Sequence, residues 1–181
     1  YPSPSGPTNV SDPFVFTVAS KECSEIRFLQ NAGNLIIGTD RKEYVVTGGD
    51  SALSALSIQL KPFSSVGSRA VRTASNGESI YYISSDGKRL CKFKYNDSNG
   101  SFVSQDLSVL FRDLIDNDAI GKVEWVPHIN TLLILMESSK LYGLVENNQA
   151  EMTAFYKTGL EDIYDMAFCY DVTFAGAERR G

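Results

Sequence analysis

Residues 26–46 read IRFLQNAGNLIIGTDRKEYVV, and this stretch decides the fold. Two short apolar runs, residues 35–37 and 44–46, flank a polar turn at residues 38–43, and a further apolar segment, residues 26–29, precedes them. Each run is too short for a helix and is bounded by Gly, Asn or Asp, which favour turns. The stretch therefore predicts three antiparallel strands.

The same pattern recurs twice along the chain. The second copy, residues 70–95, reads AVRTASNGESIYYISSDGKRLCKFKY, and the third, residues 123–146, reads VEWVPHINTLLILMESSKLYGLVE. Each copy has a strand, a turn, an apolar strand, a polar turn and a last strand with an aromatic residue. The period of about 45 to 52 residues matches one four-stranded propeller blade. A fourth copy begins at residues 163–168.

The repeats predict an all-β, mainly antiparallel fold with about three and a fraction β-propeller-like blades and one short amphipathic helix. Residues 1–12 contain Pro2, Pro4 and Pro7 and have no periodicity, so they predict an extended arm or linker. Residues 13–181 then form the propeller-like β domain. Because the chain does not begin with Met, we interpret it as part of a larger protein.

Further elements are predicted between the repeats. Residues 14–18 have the β-branched and aromatic bias of a strand, and residues 56–61 alternate at a strand period. Pro62 should end that second strand or keep it at a sheet edge. Asp86-Gly87 predicts a two-residue hairpin turn.

The one predicted helix spans residues 106–115, DLSVLFRDLI. Asp106 is placed to cap it, and Leu107, Leu110 and Phe111 begin an apolar face at helical spacing. Such a helix packs against the rim of a blade or binds a partner.

The chain is acidic, with 17 basic and 22 acidic side chains and a net charge of −5. A protein that grips DNA through its phosphates needs a basic face, and no such cluster is visible in the sequence. No apolar run is long enough to span a membrane. Three widely spaced cysteines, Cys23, Cys91 and Cys169, indicate reduced thiols in the core or at its edge.

The sequence offers little for catalysis. His128 is the one histidine and follows Pro127 in a predicted turn, which favours a solvated side chain. No nucleophile elbow, phosphate-binding loop or HExxH motif is present. We therefore expect no enzyme activity and no catalytic, cofactor-binding or metal-binding residue.

Carboxylates near the blade ends keep one enzymatic alternative open, because a glycosidase needs two acids at a separation that sequence spacing does not report. The simpler interpretation is that these acids cap backbone N–H groups in turns or stay solvated. The candidates are Asp40, Glu43, Asp86, Glu124, Asp162 and Asp165.

An ordered series of motifs between about residues 12 and 167 resembles the tail tubular or nozzle family of short-tailed bacteriophages and prophages. The series is LIIGT-D-x-x-EYVV, a Leu/Ser strand leading to VGS, IYYIS-x-DGKRL-x-x-FKY, F-x-x-QDLSVL-x-x-x-LI, EW-x-P-x-x-x-x-LLIL-x-x-x-x-KLYGL and AFYKT. The sequence departs from the family pattern at Arg41-Lys42, where a second glycine is common, and family members are larger.

The resemblance implies that the chain is a portion of the propeller-like region of a tail protein in the virion. The parent protein would form a homo-oligomeric ring below the portal and adaptor, contact tail fibre or tail-tip proteins, and let double-stranded DNA pass during ejection into the host. A net negative wall would repel phosphates, which agrees with DNA passage without specific binding.

Two alternatives remain. Some phage tail parts bind or degrade surface polysaccharide, so a tail-associated protein of that kind is one. The other is a cellular β-propeller that serves as an interaction scaffold. WD-type and Kelch propellers carry a Trp-Asp or double-glycine signature in each blade, whereas this chain has Trp125 alone, after Glu124.

Overall fold

The computed structural model describes residues 24–48, 57–96, 101–115, 117–147 and 152–167. These residues form three four-stranded antiparallel sheets, each with its strands in sequence order. The architecture is all-β and propeller-like, as the repeats predict. The predicted arm at residues 1–12, the strand at 14–18, Cys23 and Cys169 lie outside the described residues.

The first blade comprises β1 (Ile26–Ala32), β2 (Asn34–Thr39), β3 (Glu43–Thr47) and β4 (Gln59–Ser64). Its first three strands confirm the prediction made from residues 26–46. Pro62 lies within β4, the last strand of this sheet, where a residue without an N–H group is tolerated. The predicted restriction of Pro62 to an edge strand is therefore confirmed for the sheet that the structure describes.

The second blade comprises β5 (Ala74–Ser75), β6 (Ser79–Ile83), β7 (Leu90–Asn96) and β8 (Ser101–Asp106). Every residue of β6 is buried, and so are the first four of β7. This burial on both faces explains why residues 80–83, IYYI, form a continuous apolar run and do not alternate between apolar and polar side chains.

The third blade comprises β9 (Ile120–Val126), β10 (Thr131–Met136), β11 (Leu141–Asn147) and β12 (Met152–Lys157). A 3-10 turn at Pro127–Ile129 joins β9 to β10, and Asn130 follows it with a left-handed φ of 50°. Residues 163–167, the predicted beginning of a fourth repeat, are not in a strand, and Phe168 lies outside the described residues.

The blades pack face to face and enclose two apolar clusters. Between the first and second blades lie Phe28, Ile36 and Val45 from one sheet, packed with Ile80, Tyr82, Cys91 and Phe93 from the other. Between the second and third blades a larger cluster forms, and its members include Tyr81, Leu90, Trp125, Leu132 and Leu144. The second blade is thus the centre of the described structure.

The linkers between blades add a repeated backbone contact. In the linker before β5, the Ser68 N–H donates to Thr39 O of the first blade. In the same linker, Gly67 O accepts from the Ser85 N–H of the second blade. The linker before β9 follows the same course, with Ile120 N–H bonded to Gly87 O and Glu137 N–H bonded to Ala119 O. Each linker is therefore hydrogen-bonded to both blades that it connects. In each blade the contact is at the connection between the second and third strands.

The predicted ten-residue helix is wrong in extent. Asp106 ends β8, a 3-10 helix follows at Ser108–Phe111, and α1 covers only Arg112–Ile115. Asp106 still accepts a hydrogen bond from the Ser108 N–H at 2.9 Å, but Leu107 occupies the N-cap position. Leu107 and Phe111 are buried and Leu110 is exposed, so the predicted apolar face is present in part.

The hairpin predicted at Asp86-Gly87 is present, and its loop is longer than two residues. Ser84 N–H bonds to Arg89 O and Gly87 N–H bonds to Ser84 O, which leaves a four-residue loop from residue 85 to residue 88 in place of a two-residue turn. Gly87 has a φ of +72°, which explains the glycine at that position.

Candidate functional site

A polar cleft opens between the second and third blades and has a volume of about 700 Å³. Strands β6, β7 and β8 supply one wall, and the ends of β11 and β12 supply the other. The side chains of its wall are mostly polar. The lining residues are Glu78, Ser79, Lys92, Lys94, Tyr95, Gln105, Leu107, Glu146, Asn147, Met152 and Thr153.

A buried ion pair lies at the base of the cleft. Lys92 Nζ donates to Glu146 Oε2 at 2.7 Å, and the two side chains are 6% and 5% exposed. Lys92 comes from β7 of the second blade, whereas Glu146 comes from β11 of the third, 54 residues later. The pair therefore joins two blades across their packed faces, in a place where an unpaired charge would cost several kcal/mol.

Tyr81 completes the cluster. Its hydroxyl donates to the same Glu146 Oε2 at 2.5 Å and accepts from Asn76 Nδ2 at 3.1 Å. Lys92 Nζ also lies 5.8 Å from the centre of the Tyr81 ring, within cation–π distance. Burial, with the hydrogen bond to Glu146 and the charge of that carboxylate, raises the pKa of Tyr81 well above its ordinary value, so the phenol stays a donor.

Trp125 packs against the ring of Tyr81. The two rings stack with centroids 5.7 Å apart and an interplanar angle of 7°. Asn130 Nδ2 donates to Glu146 O at 2.6 Å, which fixes the backbone that carries the carboxylate. The ion pair at the base of the cleft is therefore preorganised by the buried phenol of Tyr81 and by two further side chains.

A second buried carboxylate lies between the first and second blades. Glu43 is fully buried, and its Oε1 accepts from the Ser68 hydroxyl at 2.6 Å, while Oε2 has no hydrogen bond to any described residue. Burial raises the pKa of Glu43. Smaller effects lower this pKa, and they come from the side chains of Ser68 and Ser64, the Val66 backbone and the charge of Arg89.

Arg69 makes a third polar connection between blades. Its guanidinium donates to Ile120 O at 2.9 Å and forms an ion pair with Glu137. Arg69 belongs to the linker before the second blade, and both of its partners belong to the third. Polar side chains in the described structure are thus repeatedly used to connect one blade to the next.

The sequence-predicted carboxylates make separate contacts in the structure. Asp40 accepts from the Glu25 N–H at 2.9 Å, and Asp86 accepts from the Lys88 N–H at 2.9 Å. Asp165 forms an ion pair with Lys122, Asp162 is an exposed turn residue with a φ of 59°, and Glu124 is a half-buried residue of β9. The interpretation of Asp40 and Asp86 as turn acids that accept backbone N–H groups is confirmed. Glu43 differs, because it is a buried side chain between blades.

The predictions for His128 and Cys91 agree with the structure. His128 lies in the 3-10 turn after β9 and is exposed. Cys91 is a buried free thiol, and burial raises its pKa to about 12. Among the described residues no group of three His, Cys, Asp or Glu side chains is arranged to hold a metal, and no helix is long and apolar enough to cross a membrane.

Comparisons with known proteins give a fold likeness alone. No family model matches the chain, and no curated protein matches it. Among solved structures it is similar to the crystal structure of a protein from Lactobacillus plantarum, with a TM-score of 0.50 and 14% identity. The match covers 74% of this chain and 41% of that one, so the chain spans less than half the length of that structure.

The cluster of Tyr81, Lys92 and Glu146 was not predicted from the sequence, although a weak signal was present. Lys92 lies two residues after Leu90, and Glu146 lies two residues after Leu144, so each charge occupies a core-facing position of a strand. A charged residue in phase with buried apolar neighbours indicates a buried partner. The identity of that partner required the packing of the two blades.

Proposed function

We propose that this chain is a structural portion of a tail tubular or nozzle protein of a short-tailed bacteriophage or prophage. In the virion, its parent would contribute to a homo-oligomeric ring at the distal end of the tail, below the portal and adaptor. Double-stranded DNA would pass through that ring without specific binding. The protein from Lactobacillus plantarum supports the fold of this portion and carries no information on its role.

The observation that carries the proposal is where the family-like motifs lie. LIIGT-D-x-x-EYVV covers β2 and β3, IYYIS-x-DGKRL-x-x-FKY covers β6 and β7, and LLIL-x-x-x-x-KLYGL covers β10 and β11. Each motif therefore supplies the central strand pair of one blade. A resemblance distributed in register over three successive blades follows the repeat of the fold, as expected for a shared architecture.

The connections between blades support a mechanical role. Arg69 binds Ile120 O and Glu137, and Lys92 binds Glu146, so the second and third blades are linked by two ion pairs of different depth. A conduit must keep its shape while DNA passes under pressure, and blades joined by buried polar contacts resist sliding past one another.

The acidic balance supports passage of DNA. The chain has a net charge of −5, and a wall with excess negative charge repels phosphates. We expect the lumen-facing surface of the assembled ring to carry few unpaired Lys and Arg side chains. A lumen lined mainly by Lys and Arg in the assembled ring would contradict this part of the proposal.

Immuno-electron microscopy tests the proposal directly. An antibody raised against this chain is applied to particles from lysates of the cells that encode it, with pre-immune serum as the matched control. Label at a single vertex, on the tail, is the expected result. Particles that stay bare while the antigen is found free in the lysate or in host cells would exclude a tail protein.

A further inference from the structure

We propose that the cleft between the second and third blades binds a neutral, hydroxyl-rich ligand of the saccharide type. The inference rests on the charge balance of the cleft, the unused hydrogen-bonding groups at its base and its volume. It is independent of the proposed ring assembly, because it concerns a surface formed by two blades of one chain.

The charges that line the cleft cancel. Lys92 and Lys94 supply two positive charges, and Glu78 and Glu146 supply two negative ones. The two carboxylates would repel a bound anion, and the two ammonium groups would repel a bound cation. The balance therefore favours a neutral ligand whose polar groups both donate and accept hydrogen bonds.

The ion pair at the base leaves such bonds available. Lys92 and Tyr81 both donate to Oε2 of Glu146, whereas Oε1 makes no hydrogen bond to a described residue. Lys92 has three N–H donors, and its one hydrogen bond within the described structure is to Glu146. A hydroxyl group placed here can accept from Lys92 and donate to Glu146 Oε1, and a vicinal diol can do both with adjacent groups.

The remaining wall suits the same class of ligand. Ser79, Gln105 and Thr153 add hydroxyl and amide groups along the two sides, and Leu107 adds an apolar surface. A volume of about 700 Å³ is within the usual range of ligand sites, roughly 300–1,000 Å³, and is large enough for a short oligosaccharide. Because Trp125 and Asn130 hold the base in place, little ordering is needed on binding.

Trp125 also provides a readout, since it is the only tryptophan and stacks on Tyr81, whose hydroxyl donates to Glu146 of the cleft wall. The full chain is titrated with neutral trisaccharides of glucose, galactose, mannose and N-acetylglucosamine. A galacturonic acid trimer and a glucosamine trimer serve as anionic and cationic comparisons. Saturation-transfer NMR is recorded in parallel. We expect at least one neutral trisaccharide to change Trp125 fluorescence with an affinity of about millimolar or better.

Variants of polar residues in the cleft and outside it locate the site. Gln105→Ala removes an exposed amide from the wall of the cleft and should weaken binding about fivefold, the loss expected for one hydrogen bond. Gln59→Ala removes an exposed glutamine from the equivalent outer strand of the first blade and should leave binding unchanged. The proposal is overturned if no neutral trisaccharide binds, if either charged trimer binds more tightly, or if the two variants behave alike.

Discussion

At the scale of single residues, buried charge is the main unexpected feature of the described structure. Lys92 and Glu146 form a buried ion pair to which Tyr81 also donates, whereas Glu43 accepts from the Ser68 hydroxyl and its other carboxylate oxygen is buried without a hydrogen bond to any described residue. Burial alone therefore does not determine how each group contributes to stability. A paired charge is costly to separate, and a partly satisfied carboxyl is costly to ionise.

Removing one member of the buried ion pair should destabilise the fold strongly. Lys92→Met leaves the Glu146 charge buried without its ammonium partner, and we expect a loss of about 3 kcal/mol in the free energy of unfolding. Adding Glu146→Gln to that variant should restore more than half of the loss, because the uncompensated charge is then gone. Urea denaturation followed by Trp125 fluorescence measures both values.

The exposed pair of Lys157 and Glu161 provides the matched control for this test. Both side chains are about half exposed, so Lys157→Met should change the free energy of unfolding by less than about 1 kcal/mol. Equal losses for Lys92→Met and Lys157→Met would show that the buried pair has no special importance.

Glu43 should give stability a pH dependence of the opposite sign to that of an ordinary salt-bridged acid. Its pKa is raised in the folded state, so between the ordinary value of 4.5 and that raised value the folded chain binds the proton more readily than the unfolded chain does. The contribution of Glu43 to stability is therefore fully present below about pH 4.5 and is lost as the pH rises through the folded-state pKa.

Glu43→Gln tests this sign, because glutamine resembles the protonated acid and still presents an oxygen to Ser68. We expect the variant to be more stable than the wild-type chain at neutral pH, with the difference disappearing near pH 4.5. Urea midpoints measured across this range provide the comparison. Glu25→Gln, at an exposed glutamate, measures the effect of removing a surface charge. A constant difference between Glu43→Gln and wild type at all pH values would contradict the assignment.

At the scale of secondary-structure elements, the strands were predictable and the connections were less so. The central strands of each blade were predicted correctly because their apolar runs are short and bounded by turn residues. The length of each run and its flanking residues therefore both indicate a strand. The helix predicted at residues 106–115 was too long. Apolar residues at helical spacing also occur in a 3-10 turn, and here such a turn buries Leu107 and Phe111. The pairing of Lys92 with Glu146 depends on the contact between blades, which local sequence does not specify.

Two strand glycines should differ in how well they tolerate alanine. A Cβ at Gly38 would overlap the ring of Phe28, which is buried between the first and second blades, whereas a Cβ at Gly143 would overlap the ring of Tyr156, which is 40% exposed. Phe28 is packed among buried apolar side chains, whereas Tyr156 can turn towards solvent. We expect Gly38→Ala to cost about 2 kcal/mol, and Gly143→Ala to cost less than half of that.

Chemical denaturation of the two glycine variants measures this difference. A second substitution provides the control, because Phe28→Leu in the Gly38→Ala background makes room for the new methyl group. That double variant should recover part of the stability lost in Gly38→Ala. If Gly143→Ala proves the more damaging single change, the predicted role of Tyr156 mobility is wrong.

At the scale of the whole molecule, the second blade is the structural centre of the part that the structure describes, since both apolar clusters found there include its strands. The buried ion pair and Arg69 couple it to the third blade, and Glu43 with Ser68 lies at its boundary with the first. The blades should therefore unfold together. Separate unfolding of single blades would expose both a cluster and a buried charge.

Hydrogen exchange tests whether the blades act as one unit. Amides of β6 and β7 should exchange only through global unfolding, because β6 is buried throughout and both strands lie inside their sheet. Those of β12, a largely exposed outer strand, should exchange faster through local opening.

Lys92→Met should then lower protection equally in β6 and in β10, although the substitution lies in β7 of the second blade alone. Lys157→Met is the control, and it should leave both strands unchanged. Loss of protection in β6 without loss in β10 would mean that the ion pair stabilises its own blade and does not couple two blades into one cooperative structure.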